Sequence, residues 1–286
     1  MKSAHRPFAV RLARRLTALF AVASLGLAVL LPASSHAAET LRFCYERIDV
    51  PPWRYVDGTG LHFDLLNRVA KRLDINFELQ PLPWKRCMEN LKGNLVNGAF
   101  AVSFKPDRLP VAVYPGLAPG ASGLPDANLR IGTDRYVLVR RRGGNLDWDG
   151  QSLQNLNGAI GVQADYSIGT QLRALGATVD DNSQNLRELM MKLAAGRLAG
   201  AAILGSANSI FLARNPQLAA QLETRPLPLV EKPYYLVLSH AFVANRPELA
   251  ARIWKTIETV RKSPEYRKTE QDAHAAGSLR VAGPPG

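Results

Sequence analysis

Residues 98–108 read GAFAVSFKPDR. A glycine opens an apolar run, the run stops at the hydroxyl of Ser103, and a polar turn delivers Arg108 five residues later. A guanidinium is a rigid fork of donors that matches a carboxylate through two charge-assisted hydrogen bonds. A nearby hydroxyl can add a third contact. The alternative for Arg108 is that it only closes a surface turn. Trp53 and Trp84 each follow a proline, and a tryptophan face offers apolar area and can take a cation, unless the ring is spent on core packing. His62, His240 and His274 are isolated in the sequence, so no histidine stands at metal-ligand spacing. Neither a metal nor an organic cofactor is expected. No G-x-S-x-G elbow, H-E-x-x-H or Cys–His arrangement is present.

These residues need elements to position them. TLRFCYE, residues 40–46, alternates like a strand, and DVPPWRYVDGTG breaks it with two prolines and a D-G turn. FDLLNRVAKRL places Phe63, Leu66, Val69, Ala70 and Leu73 near one helical face. INFELQPL reads as a second strand, PWKRCMENLKGN as a second helix between Pro83 and Gly93, and GAFAVSF as a third strand. Strand–helix–strand–helix–strand predicts an α/β unit with a mostly parallel sheet. Residues 114–134 dissolve into Pro, Gly and Ser. A second α/β set follows: strands RYVLVRR, GAIGVQA, ATVDD and GAAILG, with helices IGTQLRAL, NLRELMMKLAAGRL and one near SANSIFLARN. LETRPLPLVEKPYYLVLSHAF is extended again. A helix opening at Asn245 and a last short helix, SPEYRKTEQDA, close the pattern. Extended chain on both sides of the second set predicts an inserted lobe, two crossing strands and a cleft between the halves, where small ligands sit.

The expected division is residues 1–38 as a signal peptide, 39–130 with 233–275 as a discontinuous first lobe, 131–232 as a second lobe, and 276–286 as a disordered tail. Lys2, Arg6, Arg11, Arg14 and Arg15 precede the apolar stretch Leu16 to Leu31, and PASSHAAE offers small residues for cleavage after Ala37 or Ala38. The alternative is an uncleaved anchor helix, for which the run is short. Export predicts a periplasmic location. The leader holds five of the 36 Lys and Arg and none of the 24 Asp and Glu, so its removal lowers the net charge from +12 to +7. An excess of that size, scattered along the chain, does not point to nucleic acid. Arg140 to Arg142 end the apolar strand and read as its solvated tip. Two cysteines, Cys44 and Cys87, in an oxidising compartment read as one disulfide, the alternative being two buried thiols.

The segments PPWRYVDGTGLHFDLLNRVAKRL, PWKRCMENLKGNLVNGAFAVSFKPDR, GVQADYSIG, NLRELMMKLAAGRL and YYLVLSHAFVANRPELAARIW occur in one order over nearly the whole mature chain. In that order the chain resembles the family 3 extracytoplasmic solute-binding proteins, the polar-amino-acid type served by ABC transporters. The resemblance implies an α/β, type II periplasmic-binding-protein fold: two α/β lobes joined by a two-strand hinge. It implies that Arg108 holds a ligand carboxylate with Ser103 beside it and Phe104 adjacent, that Trp84 stacks on the ligand, and that Trp53, Tyr45 and Glu46 line the wall. Ala101 stands where relatives often carry a second hydroxyl.

In the second lobe the chain departs from the pattern. GRLAGAAILGSANS has Ala199 in place of the signature aspartate, and no Asp or Glu follows until Glu223. Without a carboxylate an α-ammonium would enter a closed cleft unpaired, at a cost of several kcal/mol. Asp165 could replace that charge, with Tyr166 and Ser167 touching the ligand beside a helix N-terminus. The expected partners are a small-molecule ligand and an inner-membrane ABC permease or sensor kinase, with the protein itself a monomer. A dehydratase-like enzyme on the same scaffold would need an acid or base, for which Glu46 and Asp165 are the candidates.

Overall fold

The computed structural model describes residues 38–282. In the first half, β1 (Glu39–Glu46), β2 (Ile75–Leu82) and β3 (Gly98–Ser103) are linked by α1 (Leu61–Leu73) and α2 (Trp84–Lys92). β1 lies between the other two and is parallel to both. Parallel neighbours need crossovers, and the two helices provide them. α1 buries Phe63, Leu65, Leu66 and Val69 and ends at Asp74 in a left-handed cap. Pro83 precedes the first residue of α2, and Gly93 ends it.

β4 (Gly132–Arg141) leads into the second half. β5 (Asp147–Trp148) and β6 (Leu153–Gln154) form a small antiparallel pair. β7 (Ile160–Gln163), α3 (Ile168–Ala174), β8 (Val179–Ser183), α4 (Leu186–Ala194) and β9 (Gly200–Leu204) follow, then α5 (Gly205–Arg214) and α6 (Pro216–Ala219). β7 is parallel to both β8 and β9. β10 (Leu222–Leu238) returns, and α7 (His240–Asn245), α8 (Pro247–Arg261) and α9 (Pro264–Ala282) complete the described chain.

The main sheet runs β2-β1-β3-β10-β4-β9-β7-β8. β10 is antiparallel to β4 along its first part and to β3 along its last. Tyr234 marks the changeover, paired with Gly132 on one side and Ser103 on the other. Two adjacent strands thus carry the chain between two α/β halves, as expected from the extended segments flanking the second set. Register slips near Pro228, where proline removes a ladder donor. The disulfide joins Cys44 of β1 to Cys87 of α2, with sulfurs 2.02 Å apart. Both residues are fully buried in a small core with Tyr114 and Tyr235.

The C-terminal end differs from expectation. The helix does not open at Asn245. Ser239 caps a separate helix by accepting from the Phe242 amide, Arg246 leaves helical geometry, and Pro247 starts α8. α8 buries Leu249, Ile253, Trp254, Ile257 and Val260, and the Trp254 indole donates to the Leu236 carbonyl at 2.9 Å. The last helix is longer than the segment read for it, continuing to Ala282 through most of the stretch expected to be a disordered tail. Residues 1–37, which include most of the expected signal peptide, and residues 283–286 lie outside the described residues. Among the described residues, no helix is long and apolar enough to cross a membrane.

Candidate functional site

β3 is buried along its whole length and delivers Ser103 at its end. The strand carries a bulge. Between the pairs Val102–Tyr235 and Ala99–Val237 it has one residue more than β10, and Ala101 within that stretch has φ of 60°. A bulge with a left-handed residue re-aims the side chains that follow it. Ala101 and Ser103 both line the small pocket here. The Ser103 carbonyl accepts from the Tyr114 hydroxyl at 2.8 Å and from Arg108 Nη1 at 2.9 Å. The turn Pro106–Arg108 folds Arg108 back onto the strand it follows.

Arg108 is 8 % exposed. Its Nη2 donates to the Asp165 carbonyl at 2.6 Å, in the second half, and its Cζ lies 5.2 Å from the Trp84 ring centroid. Among the described residues it forms no ion pair with a carboxylate. Ser103 Oγ donates to Ser167 Oγ at 2.9 Å. Ser167 directly precedes α3 yet makes no side-chain cap, because its hydroxyl turns to Ser103 and to Lys232, whose Nζ donates to it at 3.2 Å. Burial, with Arg108 nearby, pushes the Lys232 ammonium down to about 8. The Tyr166 hydroxyl reaches both Glu46 oxygens, at 2.8 and 2.9 Å, and Arg54 Nη2 donates to Glu46 at 3.3 Å. Burial raises the Glu46 pKa, and the Arg54 charge and the Tyr166 bond oppose the rise.

The structure therefore gathers Arg108, Ser103, Trp84, Glu46, Tyr166 and Ser167 around one pocket of about 20 Å³. Trp53, Tyr45, Phe104 and the Asp165 side chain do not line it. Trp53 stacks on His62 at 5.3 Å instead. Tyr45 is spent in the core against Phe63 and Phe100, and Phe104 sits edge-on to Tyr114. Asp165, at a φ of 62°, turns its carbonyl to Arg108 while its residue stays exposed. Glu46 and Asp165 are thus not paired as acid and base. The strand end facing the pocket from the second half is Leu204, in register with Tyr136. Sequence reading missed Arg54, Lys232, Tyr136 and Tyr234. Lys232 and Tyr234 stand two apart on a strand, the spacing that shares a face, which is the one signal that could have flagged Lys232.

A far larger cavity, about 1030 Å³, also opens between the halves. It is bordered by Trp53 and Tyr55, by Thr133 and Arg135 on β4, by Ser209 on α5, and by His274 on α9. Its charged groups are mostly engaged: Arg130 and Arg261 donate to backbone carbonyls, and Arg214 faces Asp49 at 3.3 Å. Size alone does not make it the ligand site. Arg108, Ser103 and Glu46 of the first half instead meet Asp165, Ser167 and Tyr166 of the second at the small pocket. No cluster of three or more His, Cys, Asp or Glu side chains among the described residues could hold a metal ion.

No family model and no curated protein matches the chain in sequence. Solved structures do match its fold. The histidine kinase sensor domain with similarity to periplasmic binding proteins superposes with a TM-score of 0.65 at 16 % identity, covering 83 % of this chain and 96 % of that one. The substrate-binding protein AbpA of an amino acid ABC transporter from Streptococcus pneumoniae, bound to L-arginine, gives 0.60 at 20 % identity, over 83 % and 95 %. The GluR0 ligand-binding core from Nostoc punctiforme, in complex with L-glutamate, gives 0.59 at 17 % identity, over 82 % and 98 %. With its two α/β halves and its pair of crossing strands, the chain has the type II periplasmic-binding-protein fold.

Proposed function

We propose that this protein captures a small, polar, carboxylate-bearing solute between its two lobes and presents it to a membrane partner. One observation carries the reading: a buried guanidinium, Arg108, stands between the halves, and among the described residues its direct partners are neutral oxygens and a tryptophan face, the Glu46 carboxylate acting on it only through space. Burying a charge without a counter-ion is costly, and a carboxylate arriving at that fork would supply one. The pocket of about 20 Å³ has room for a single water, so the solute enters when the halves part and closure follows from contacts it makes better in the closed state.

The reading includes export by a signal peptide cut near Ala37 or Ala38, a periplasmic location and a monomeric state. Similarity to a substrate-binding protein of an ABC transporter supports a permease as the partner. Similarity to a histidine kinase sensor domain supports a sensor kinase instead. Isothermal calorimetry with Arg108→Ala tests the core of the proposal. The variant is expected to lose at least about 100-fold in affinity for a carboxylate ligand, since two charge-assisted bonds are worth about 3 kcal/mol or more. Unchanged affinity would overturn it.

A further inference from the structure

Several buried polar groups of the cleft lack a partner. Among the described residues, Trp84 Nε1, Arg54 Nε, the Tyr234 hydroxyl and both ring nitrogens of His62, one a donor and the other an acceptor in the neutral ring, are buried without a hydrogen-bond partner. Arg54 is 4 % exposed and His62 is 3 % exposed. Native interiors rarely leave such groups unsatisfied. They stand around two adjacent chambers that share Arg54, Leu204 and Tyr234 in their walls. The first, of about 20 Å³, holds Trp84 and Arg108; the second, of about 10 Å³, holds His62 and Asp134. Each chamber has a guanidinium and an unpartnered donor, and an apolar side chain, Leu204, belongs to both.

The two carboxylates that line the chambers are already hydrogen-bonded. Glu46 is taken up by Tyr166 and Arg54, and Asp134 by the Ser206 hydroxyl and the Arg135 amide. The cations Arg54, Arg108 and Lys232 outnumber them. A ligand ammonium placed beside Leu204 would stand near Arg54 and Arg108, and the carboxylates that line the chambers, Glu46 and Asp134, already accept two hydrogen bonds or more each.

We infer that the solute is a short dicarboxylic acid without an α-amino group, one carboxylate at Arg108 and Trp84, the other at Arg54 and His62, and its methylenes over Leu204. This rests on the reading of the Arg108 cleft as the ligand site. It narrows that reading to a two-ended anion. Occupation displaces the direct bonds that close the empty cleft, because two chambers of this size hold only about a water each.

Calorimetry at one pH and salt concentration, with succinate, glutarate, butyrate and L-glutamate as probes, tests the inference. The better of succinate and glutarate is expected to bind about 100-fold or more tighter than both butyrate and L-glutamate, since a site that leaves buried polar groups unpaired rejects the ligand lacking the matching group by large factors. His62→Phe, which keeps an aromatic ring against Trp53, is expected to narrow the preference for the dicarboxylate over butyrate about tenfold. Its melting curve reports whether it folds; should it not, the four-probe comparison decides alone. Equal affinity for butyrate and the dicarboxylates, or tighter binding of L-glutamate, overturns the inference while leaving Arg108 as a carboxylate site. Failure of all four carboxylates to bind overturns both.

Discussion

The Ser103 hydroxyl donates to the Ser167 hydroxyl at 2.9 Å, joining the end of a strand in one half to the residue before a helix in the other. Arg108 crosses the same gap to the Asp165 carbonyl, and Tyr166 crosses it to Glu46. The polar groups that would hold a ligand hold one another instead. On the proposed function, closure of the empty protein and capture of a solute would be competing uses of one set of donors and acceptors.

Tyr166→Phe removes both contacts to Glu46 and keeps the ring. A hydrogen bond to a charged group is worth about 1.5–3 kcal/mol, so the open-to-closed ratio of the empty protein should rise about 10- to 100-fold. Small-angle X-ray scattering should then show a larger radius of gyration than for the parent. An identical scattering curve would mean that other contacts hold the halves together.

Arg108→Lys retains the charge but loses the planar fork and cannot span the Ser103 and Asp165 carbonyls in the same way. Carboxylate affinity should fall between that of the parent and that of Arg108→Ala, at about a tenth to a hundredth of the parent value. If lysine restores full affinity, the site reads charge alone.

Lys232 gives the cleft a pH dependence. Its ammonium, pushed down to about 8 by burial and by Arg108, is charged below that value and, on the proposed function, would help an anion bind. Anion affinity should fall as pH rises through about 8. Stability runs the other way: between about 8 and 10.5 the unfolded chain still holds a proton that the folded one has released, so the Lys232 contribution to stability rises with pH. Binding and melting measured from pH 7 to 10 in the parent and in Lys232→Met would check both trends. A parent affinity as flat as that of the variant would remove Lys232 from the site.

Gly98 begins β3 at a close approach. A Cβ there would collide with the Val237 carbonyl oxygen and the Phe43 ring. Gly98→Ala should cost about 1–3 kcal/mol, seen as a lower denaturant midpoint, and should weaken ligand binding through displacement of Ser103. A midpoint equal to the parent's would show that the sheet yields without strain.

The Cys44–Cys87 disulfide closes a loop across 43 residues. Replacing both cysteines with serine should lower stability by about 2–4 kcal/mol, with a melting temperature lower by several degrees, and dithiothreitol should act on the parent alone. Insensitivity of the parent to reductant under denaturing conditions would argue against the bond.

The α/β order was legible because each signal is local. Alternation in TLRFCYE, the helical spacing of Phe63, Leu66 and Val69, and Gly93 as a stop need no partner to be recognised. Ser103 and Arg108 were legible for the same reason, lying five residues apart on one strand and turn. The break at Arg246 was not, since the segments on either side share helical composition and only the Ser239 cap and Pro247 separate them.

Arg54 and Lys232 were missed because their meaning is not local. One sits in a proline-rich turn and the other in a crossing strand, and neither neighbourhood mentions Arg108. Asp165 shows the converse: a carboxylate in a suggestive loop whose backbone, at a positive φ, sends the carbonyl inward instead. Short-range pattern thus determined the elements, their order and the strand that bears the guanidinium. Which side chains face that guanidinium was decided by two halves meeting across a gap, through contacts such as Arg108 to Asp165 that are 57 residues apart. Periodicity records what neighbours along the chain do for one another, and it holds no trace of groups that become neighbours only on folding.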